Sequence, residues 1–371
     1  MIGISGPDLG YAIIGCGWVS DAHGVAVRAL AKEGVHLIAV ADQDKSRADD
    51  FAKRYGVDFS TDDYREILSR SEVDVVSICL PDFLHEEVTV EAAKRGKHVL
   101  CEKPLSLNLE TAEKMVQSCL EVGVNLGIVF NHRYSPDNIR VRGAVEDGAL
   151  GSMLLGSVIH SSSLTGNVGL TSAWRGIKGR STGGVLASQA IHFLDLLLWF
   201  MGPVASVSAR TATLARTSRD YEDVAALTLQ FRSGALATLA TTNGSPIVDD
   251  LSGTRIDVQG TNGYVLLEGG LLKESHFSTG YELKNVILPT ISAEASGSIF
   301  GDGHIYEIAD FIGAIRRGED APIPGVDGLH LMGVLAAAYE SASIGGEIEI
   351  PMRLSGYEGV TSSHSLLKAA S

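Results

Sequence analysis

The sequence predicts an α/β protein: an N-terminal Rossmann-type, doubly wound parallel sheet, followed by an α+β domain built on a broad, mainly antiparallel open sheet. Three observations carry this expectation. Apolar runs alternate with helical-period segments through the first third of the chain. Short β-type stretches joined by tight turns fill much of the remainder. Between the first apolar run and the first helical segment lies the turn Gly15-Cys16-Gly17-Trp18-Val19-Ser20. A length of 371 residues suits two domains at roughly 100–200 residues each, placed at residues 1–134 and 135–371 with a loose Gly-rich leader over 1–10.

Each element follows from its pattern. Residues 11–16 are a short apolar strand, and 19–31 have helical spacing. Residues 35–41 form the second strand, closed by Asp42. Residues 45–55 are a charged helix ended by Gly56. Residues 73–80 are a strand stopped by Pro81, and 85–95 a helix capped by Gly96. Residues 97–101, 109–122 and 124–130 repeat the cycle. Near-continuous apolar strands between helices indicate a parallel sheet covered on both faces. Beyond Pro136 the β-type stretches 153–160, 204–213, 224–231, 235–242, 254–259 and 264–268 are joined by turns such as Arg232-Ser233-Gly234. That spacing suits an antiparallel sheet. Helical segments are expected at 184–201, 305–317 and 326–344.

Composition excludes several functional classes. Asp and Glu total 45 against 30 Lys and Arg, a formal net charge of −15, with no basic run, so neither nucleic acid nor an anionic membrane is expected as partner. The longest apolar stretch, 191–201, is too short to span a bilayer and carries His192 and Asp195. The N-terminus lacks an export signal pattern. Cys16, Cys79, Cys101 and Cys119 form no CxxC and read as reduced core thiols of a cytoplasmic protein. No histidine cluster has ligand spacing, so no metal is expected.

The glycine turn has the arrangement of a dinucleotide site. Gly15 permits the tight turn out of the strand. Gly17 lets backbone N–H groups of Trp18 and Val19 approach a pyrophosphate at the helix N-terminus. Asp42 ends the second strand, where a carboxylate bonds an adenosine ribose diol and repels a 2′-phosphate, favouring NAD over NADP; a helix-capping role is the alternative. Leu80 and Pro81 end the next strand on the cofactor's path. Glu102-Lys103-Pro104 ends a later one. A lysine fixed by a following proline there places an ammonium beside the reactive ring of a nicotinamide. Asn131 and His132, after the last strand of this half, face the same cleft. In the second half, the run from Gly183-Gly184 to Asp195 puts Ser188 and His192 one turn apart on a helix face. His192 is either a core histidine or, beside a nicotinamide, a proton-transfer group titrating near neutrality. Trp174, Arg175 and Lys178 precede this helix as a loop able to contact hydroxyls. His160 and His304 are further candidates.

These motifs together resemble the Gfo/Idh/MocA oxidoreductases. The resemblance runs from Tyr11 to about Pro351 and rests on Gly15-Cys16-Gly17, Ala41-Asp42, Pro81 with His85, the stretch from Gly96 to Pro104, Arg133-Tyr134, Gly183-Gly184 through His192 to Asp195, and Asp310 to Arg316. It implies a bound NAD(P), a homodimer or homotetramer joined sheet to sheet, Lys103 and His192 as the catalytic pair, and His85 and Glu102 beside the cofactor. Trp174, Arg175, Ser188 and His304 join His132 as implied substrate contacts. The implied reaction is oxidation of a secondary hydroxyl of a sugar, glycoside or cyclitol. One departure stands out: Ser188 occupies a position where many relatives carry aspartate. The form of residues 174–176 and 187–192 looks most like relatives acting on pyranosides and sugar nucleotides. Two alternatives share the fold: an NAD-dependent glycosidase with transient oxidation, and a non-catalytic sugar or NAD sensor.

Overall fold

A computed structural model describes residues 4, 6–163, 174, 177–215, 220–247, 251–289 and 302–351. The first half contains β1 (Leu9–Ile14), α1 (Ser20–Ala29), β2 (Val35–Ala41), α2 (Lys45–Tyr55), β3 (Phe59–Thr61), α3 (Tyr64–Leu68), β4 (Val75–Ile78), α4 (His85–Lys94), β5 (His98–Cys101), α5 (Leu109–Val122) and β6 (Leu126–Ile128). The strands form one parallel sheet in the order β3-β2-β1-β4-β5-β6, the doubly wound order in which ligands bind beyond the carboxyl ends at the switch between β1 and β4. All four residues of β4 are buried, as both-face coverage requires. Leu9 and Gly10, expected in a loose leader, begin β1 because they pair with Val35 and His36.

The second half contains α6 (Pro136–Glu146), β7 (Met153–Ser161), α7 (Val185–Ser188), α8 (Ile191–Met201), β8 (Val204–Ala212), β9 (Val224–Phe231), β10 (Leu236–Thr242), β11 (Thr254–Gly260), β12 (Gly263–Glu268), β13 (Leu271–Phe277), α9 (Gly303–Arg317), α10 (Gly325–Ile344) and β14 (Ile348–Glu349). Its eight-stranded sheet runs β13-β12-β11-β7-β10-β9-β8-β14, antiparallel except for the β7–β10 pair. Burial alternates strictly along β9 and β10, so one face is packed and the other open. Helix α8 is apolar at every position but His192 and Asp195 and, except for His192, entirely buried, the placement so apolar a helix requires.

The chain then returns to the first sheet. Ile305, Ile308, Phe311 and Ile312 of α9 share a core with Tyr11, Ile13 and Val27, and Gly127 bridges Pro324. A segment far beyond residue 134 therefore completes the first unit's packing. Among the described residues no helix is long and apolar enough to cross a membrane.

Candidate active site

The carboxyl ends of the parallel strands assemble the cofactor edge. Gly15 has φ +97°, and a Cβ there would lie 2.4 Å from the Cys79 carbonyl oxygen, so the crossing of the two loops demands glycine. A Cβ on Gly17 would meet nothing within 4 Å, leaving open space above the turn. The N-terminus of α1 has no side-chain cap; the Ala22 N–H turns back to the Val19 carbonyl at 3.0 Å, and the turn ahead of it is a setting suited to an anion. Asp42 accepts the Cys16 N–H (2.9 Å) on Oδ2 and the Asp44 N–H (2.9 Å) on Oδ1. Each carboxylate oxygen keeps a second acceptor position for a diol. Trp18 is 48% exposed beside this turn, and Val19 is half-buried. These residues fit a dinucleotide.

His85, expected beside the cofactor, is corrected by its surroundings. It is fully buried. Nε2 meets the Leu80 carbonyl at 2.8 Å, and Nδ1 meets those of Pro104 and Leu105 at 3.0 and 3.2 Å. Both nitrogens face acceptors, and its pKa is pushed up to about 10: burial opposes the charge, but the Cys101 sulfur, Asp82 and the carbonyls outweigh it. No ring nitrogen is left for a ligand. His85 instead straps the Leu80-Pro81 loop to the loop bearing Lys103.

Glu102 is likewise buried. Its Oε1 lies 3.0 Å from His23 Nε2 and 3.8 Å from His304 Nε2, while Oε2 accepts the Lys103 N–H at 3.2 Å. Burial works against its charge, yet hydrogen bonds from the two histidines hold its carboxyl well below the usual range. His23 passes the network on to Ser77 (2.8 Å), which meets the Tyr11 hydroxyl at 2.5 Å. His23, Glu102 and His304 have donor atoms within 4.8 Å of one another, the spacing of a possible ion site; within the protein they form a hydrogen-bonded unit. His304, expected at the substrate, is buried in this unit.

Lys103 Nζ donates to the Ser188 carbonyl at 2.7 Å, crossing from the first sheet's edge to the second half of the chain. The helix expected over 184–201 is broken into α7 and α8. The Ser188 hydroxyl turns back to the Gly184 carbonyl at 2.7 Å, so its backbone, not its side chain, meets the lysine. His192 opens the second helix and stacks on His132, with ring centroids 4.7 Å apart and an interplanar angle of 26°. Its Nδ1 is buried without a hydrogen-bond partner, which leaves Nε2 for proton exchange. Burial, reinforced by the Lys103 ammonium and His132, holds the His192 pKa well below its ordinary value. This corrects the expectation of titration near neutrality. Burial, with His304 and Lys103, likewise pushes His132 down to about 4.

Asn131 and His132 sit on a 3₁₀ turn, Asn131–Tyr134, and both are partly exposed. The neighbouring Arg133 anchors that turn: it is 1% exposed and bonds Asp195 at 2.6 and 2.9 Å and Asp327 at 2.8 Å. Asp195 is thus a structural partner. His160 lies under Phe193 (centroids 4.8 Å) and bonds Thr241 at 2.7 Å. Trp174 is half-buried; Arg175 lies outside the described residues. Sequence reasoning missed His23, whose one signal was a histidine in the apolar helix after the glycine turn, and Glu222, which had none.

Comparison with known proteins agrees with this fold. Residues 9–130 match the oxidoreductase family described by its NAD-binding Rossmann fold, and residues 139–266 match the Gfo/Idh/MocA C-terminal domain. Inositol 2-dehydrogenase of Rhizobium meliloti is 27% identical over 92% of this chain and 98% of its own. D-glucoside 3-dehydrogenase of Escherichia coli is 27% identical over 92% and 97%. Among solved structures, the WlbA dehydrogenase of Bordetella pertussis, in complex with NADH and UDP-GlcNAcA, superposes with a TM-score of 0.82 at 27% identity, covering 93% of this chain and 99% of that one.

Proposed function

The chain belongs to the Gfo/Idh/MocA oxidoreductase family, and on that premise we propose that it is an NAD-dependent dehydrogenase of a secondary hydroxyl on a sugar, glycoside or cyclitol, with Lys103 and His192 as its catalytic pair. The observation that carries this is that Lys103 reaches across to the segment leading into His192. Lys103 reaches the turn just before His192, bonding Ser188 at 2.7 Å, and its charge depresses the His192 pKa. Inositol and glucoside dehydrogenases among the relatives support the substrate class.

The chemistry follows from the side chains. Bound NAD supplies the hydride acceptor. His192, neutral at physiological pH, accepts the hydroxyl proton at Nε2 as general base. The Lys103 ammonium donates to the same oxygen and stabilises its developing negative charge, worth on the order of a few kcal/mol in the barrier. Glu102 fixes the lysine backbone from below through the Lys103 N–H. His132, stacked on His192, lines the substrate side, and Asn131 is assigned to the cofactor. Residues 1–134 are assigned to cofactor binding and 135–371 to substrate binding, with α9 lying against the cofactor unit. The open sheet face, which exposes Leu154, Ile159 and Leu236, is assigned to self-association as a dimer or tetramer, and the enzyme to the cytoplasm.

The test is an NADH-absorbance screen of the protein with NAD against inositols, glucosides, anhydrosugars and UDP-sugars, with Lys103→Ala in parallel. Net NADH should accumulate with at least one substrate, and Lys103→Ala should lower turnover about 10²–10³-fold while still binding NADH. Release of free sugar without net NADH would indicate the hydrolase instead. Turnover within a few-fold of the parent would remove Lys103 from the mechanism.

A further inference from the structure

The Ser188 carbonyl that anchors Lys103 belongs to a helix of only four residues, Val185–Ser188. One turn cannot offset its own nucleation cost, so something outside it must hold it. Three successive N–H groups at its start, those of Gly184, Val185 and Leu186, go to one residue. The Glu222 carboxylate accepts the N–H of Gly184 on Oε2 (3.1 Å) and of Leu186 on Oε1 (3.0 Å). Its backbone carbonyl accepts the N–H of Val185 (3.1 Å). The Tyr339 hydroxyl, from α10, donates to Oε1 at 3.1 Å. Glu222 is only 7% exposed and faces three donors; burial raises its carboxyl pKa above the ordinary value, while the bonds from the Leu186 and Gly184 N–H groups and from Tyr339 pull it back down.

The glycine pair exists for this contact. A Cβ on Gly184 would lie 2.0 Å from the Glu222 carbonyl oxygen and 2.6 Å from Oε2. A Cβ on Gly183 would lie 1.9 Å from the Tyr339 hydroxyl. Both side chains are packed onto the glycine backbone where no other residue leaves room. From Gly184 the chain of contacts runs directly to the reacting group: Ser188 N–H and Oγ both bond the Gly184 carbonyl (3.0 and 2.7 Å), and the Ser188 carbonyl accepts Lys103 Nζ.

We propose that Glu222, braced by Tyr339, is a positioning residue that sets the Lys103 ammonium by holding the Val185–Ser188 turn. The inference rests on the catalytic role given to Lys103 above, and its test separates the two. In Glu222→Gln the side-chain amide brings an NH₂ against one of the backbone N–H groups that the carboxylate accepts, so the turn shifts and Lys103 loses its anchor.

The first readout needs no substrate: reductive methylation of the full chain, followed lysine by lysine by mass spectrometry. Lys103 should label several-fold faster in Glu222→Gln. Lys97, buried with Nζ on the carbonyls of Arg70 and Val73, should stay protected and so certifies the fold. The second readout is a double-mutant cycle, using the compound from the screen above that yields most NADH. Displacing a positioned group by an ångström costs on the order of 10²-fold, and Glu222→Gln should lower kcat towards that scale with KM for NAD unchanged. In a Lys103→Ala background the same change should cost little more, because Glu222 acts through the lysine. Unchanged Lys103 labelling, or a loss that adds fully to that of Lys103→Ala, overturns the proposal. A Lys103→Ala variant of normal turnover overturns the catalytic reading and leaves the labelling result to judge the positioning alone. If Lys97 also labels in Glu222→Gln, Tyr339→Phe, which keeps the carboxylate and removes one brace, carries both readouts with the same signs and smaller size.

Discussion

Arg133→Met should destabilise the protein by about 3–5 kcal/mol at pH 7, the range for removing one partner of a buried ion pair. The guanidinium is 1% exposed and holds two carboxylates, Asp195 and Asp327, that are themselves buried. Methionine keeps the unbranched apolar stem without the guanidinium, so both acids are left unpaired in the core. Their escape is to protonate, and that route sets a ceiling for each of them. From an unfolded value near 3.9, protonating one carboxylate at pH 7 costs roughly 4 kcal/mol, and at pH 5 roughly 1.5 kcal/mol. Burial already lifts Asp195 to about 6 against the pull of Arg133, so the escape is within reach. The sign follows: the deficit is largest at neutral pH and shrinks as pH falls towards 5. Urea unfolding at pH 7 and pH 5, followed by tryptophan fluorescence, reads it, since the Trp199 ring lies 5.4 Å from the guanidinium carbon. Adding Asp195→Asn and Asp327→Asn to Arg133→Met should recover much of the loss. A deficit below about 1 kcal/mol at pH 7, or one no smaller at pH 5, refutes the reasoning.

Three further outcomes are expected. With the His192 pKa held well below 6.5 by burial and Lys103, the base is already neutral at pH 7; kcat/KM for oxidation should stay level through neutrality and fall only well into the acid range, and a half-fall near pH 6.5 would contradict the burial. Because the Ser188 hydroxyl is turned to Gly184, Ser188→Ala should leave turnover within a few-fold, whereas Ser188→Asp adds a negative charge in the segment just before His192 and should move that acid limb upward; an unmoved limb means position 188 is not coupled to His192. Asp42→Ser should lower the ratio of NAD to NADP affinity, measured by fluorescence titration of the reduced forms; an unchanged ratio removes Asp42 from cofactor selection, even if both affinities drop through loss of its bond to the Cys16 N–H.

What the sequence disclosed depended on how local its cause was. The parallel strands were legible because both faces are covered, so a strand such as Val75–Ile78 is apolar at nearly every position. The second sheet was legible through alternation. Strand β3 and strand β14 have three and two residues, too few to show a period. Strand β13 exposes most of its residues and so lacks a buried stripe to read. The break between α7 and α8 had no proline or glycine at Gln189-Ala190 to announce it, and the residue that holds the start of α7, Glu222, lies more than thirty residues away in sequence. His85 was misread for the same reason. A buried histidine strapping two carbonyls and one facing a cofactor look alike in sequence, and only the arrival of Pro104 and Leu105 distinguishes them.

The replacement at position 188 acquires a physical meaning from these contacts. An aspartate one turn before His192 would add a negative charge beside the imidazole and favour its protonated form. Here the lysine donates to a neutral backbone carbonyl, and Glu102, the buried anion that most offsets the positive charge felt by His192, is already engaged by His23, His304 and the Lys103 N–H. The field at His192 is therefore set by burial and by the Lys103 ammonium, both of which favour the neutral ring. A neutral base needs no deprotonation before it can accept the substrate proton, so catalytic competence in oxidation extends to lower pH. The reverse reaction meets the opposite condition, because a histidine that resists protonation is a poor resident acid at pH 7. Reduction of the corresponding ketone should then gain steeply as pH falls while oxidation holds level. Parallel pH profiles for the two directions would mean that the proton travels through a group other than His192.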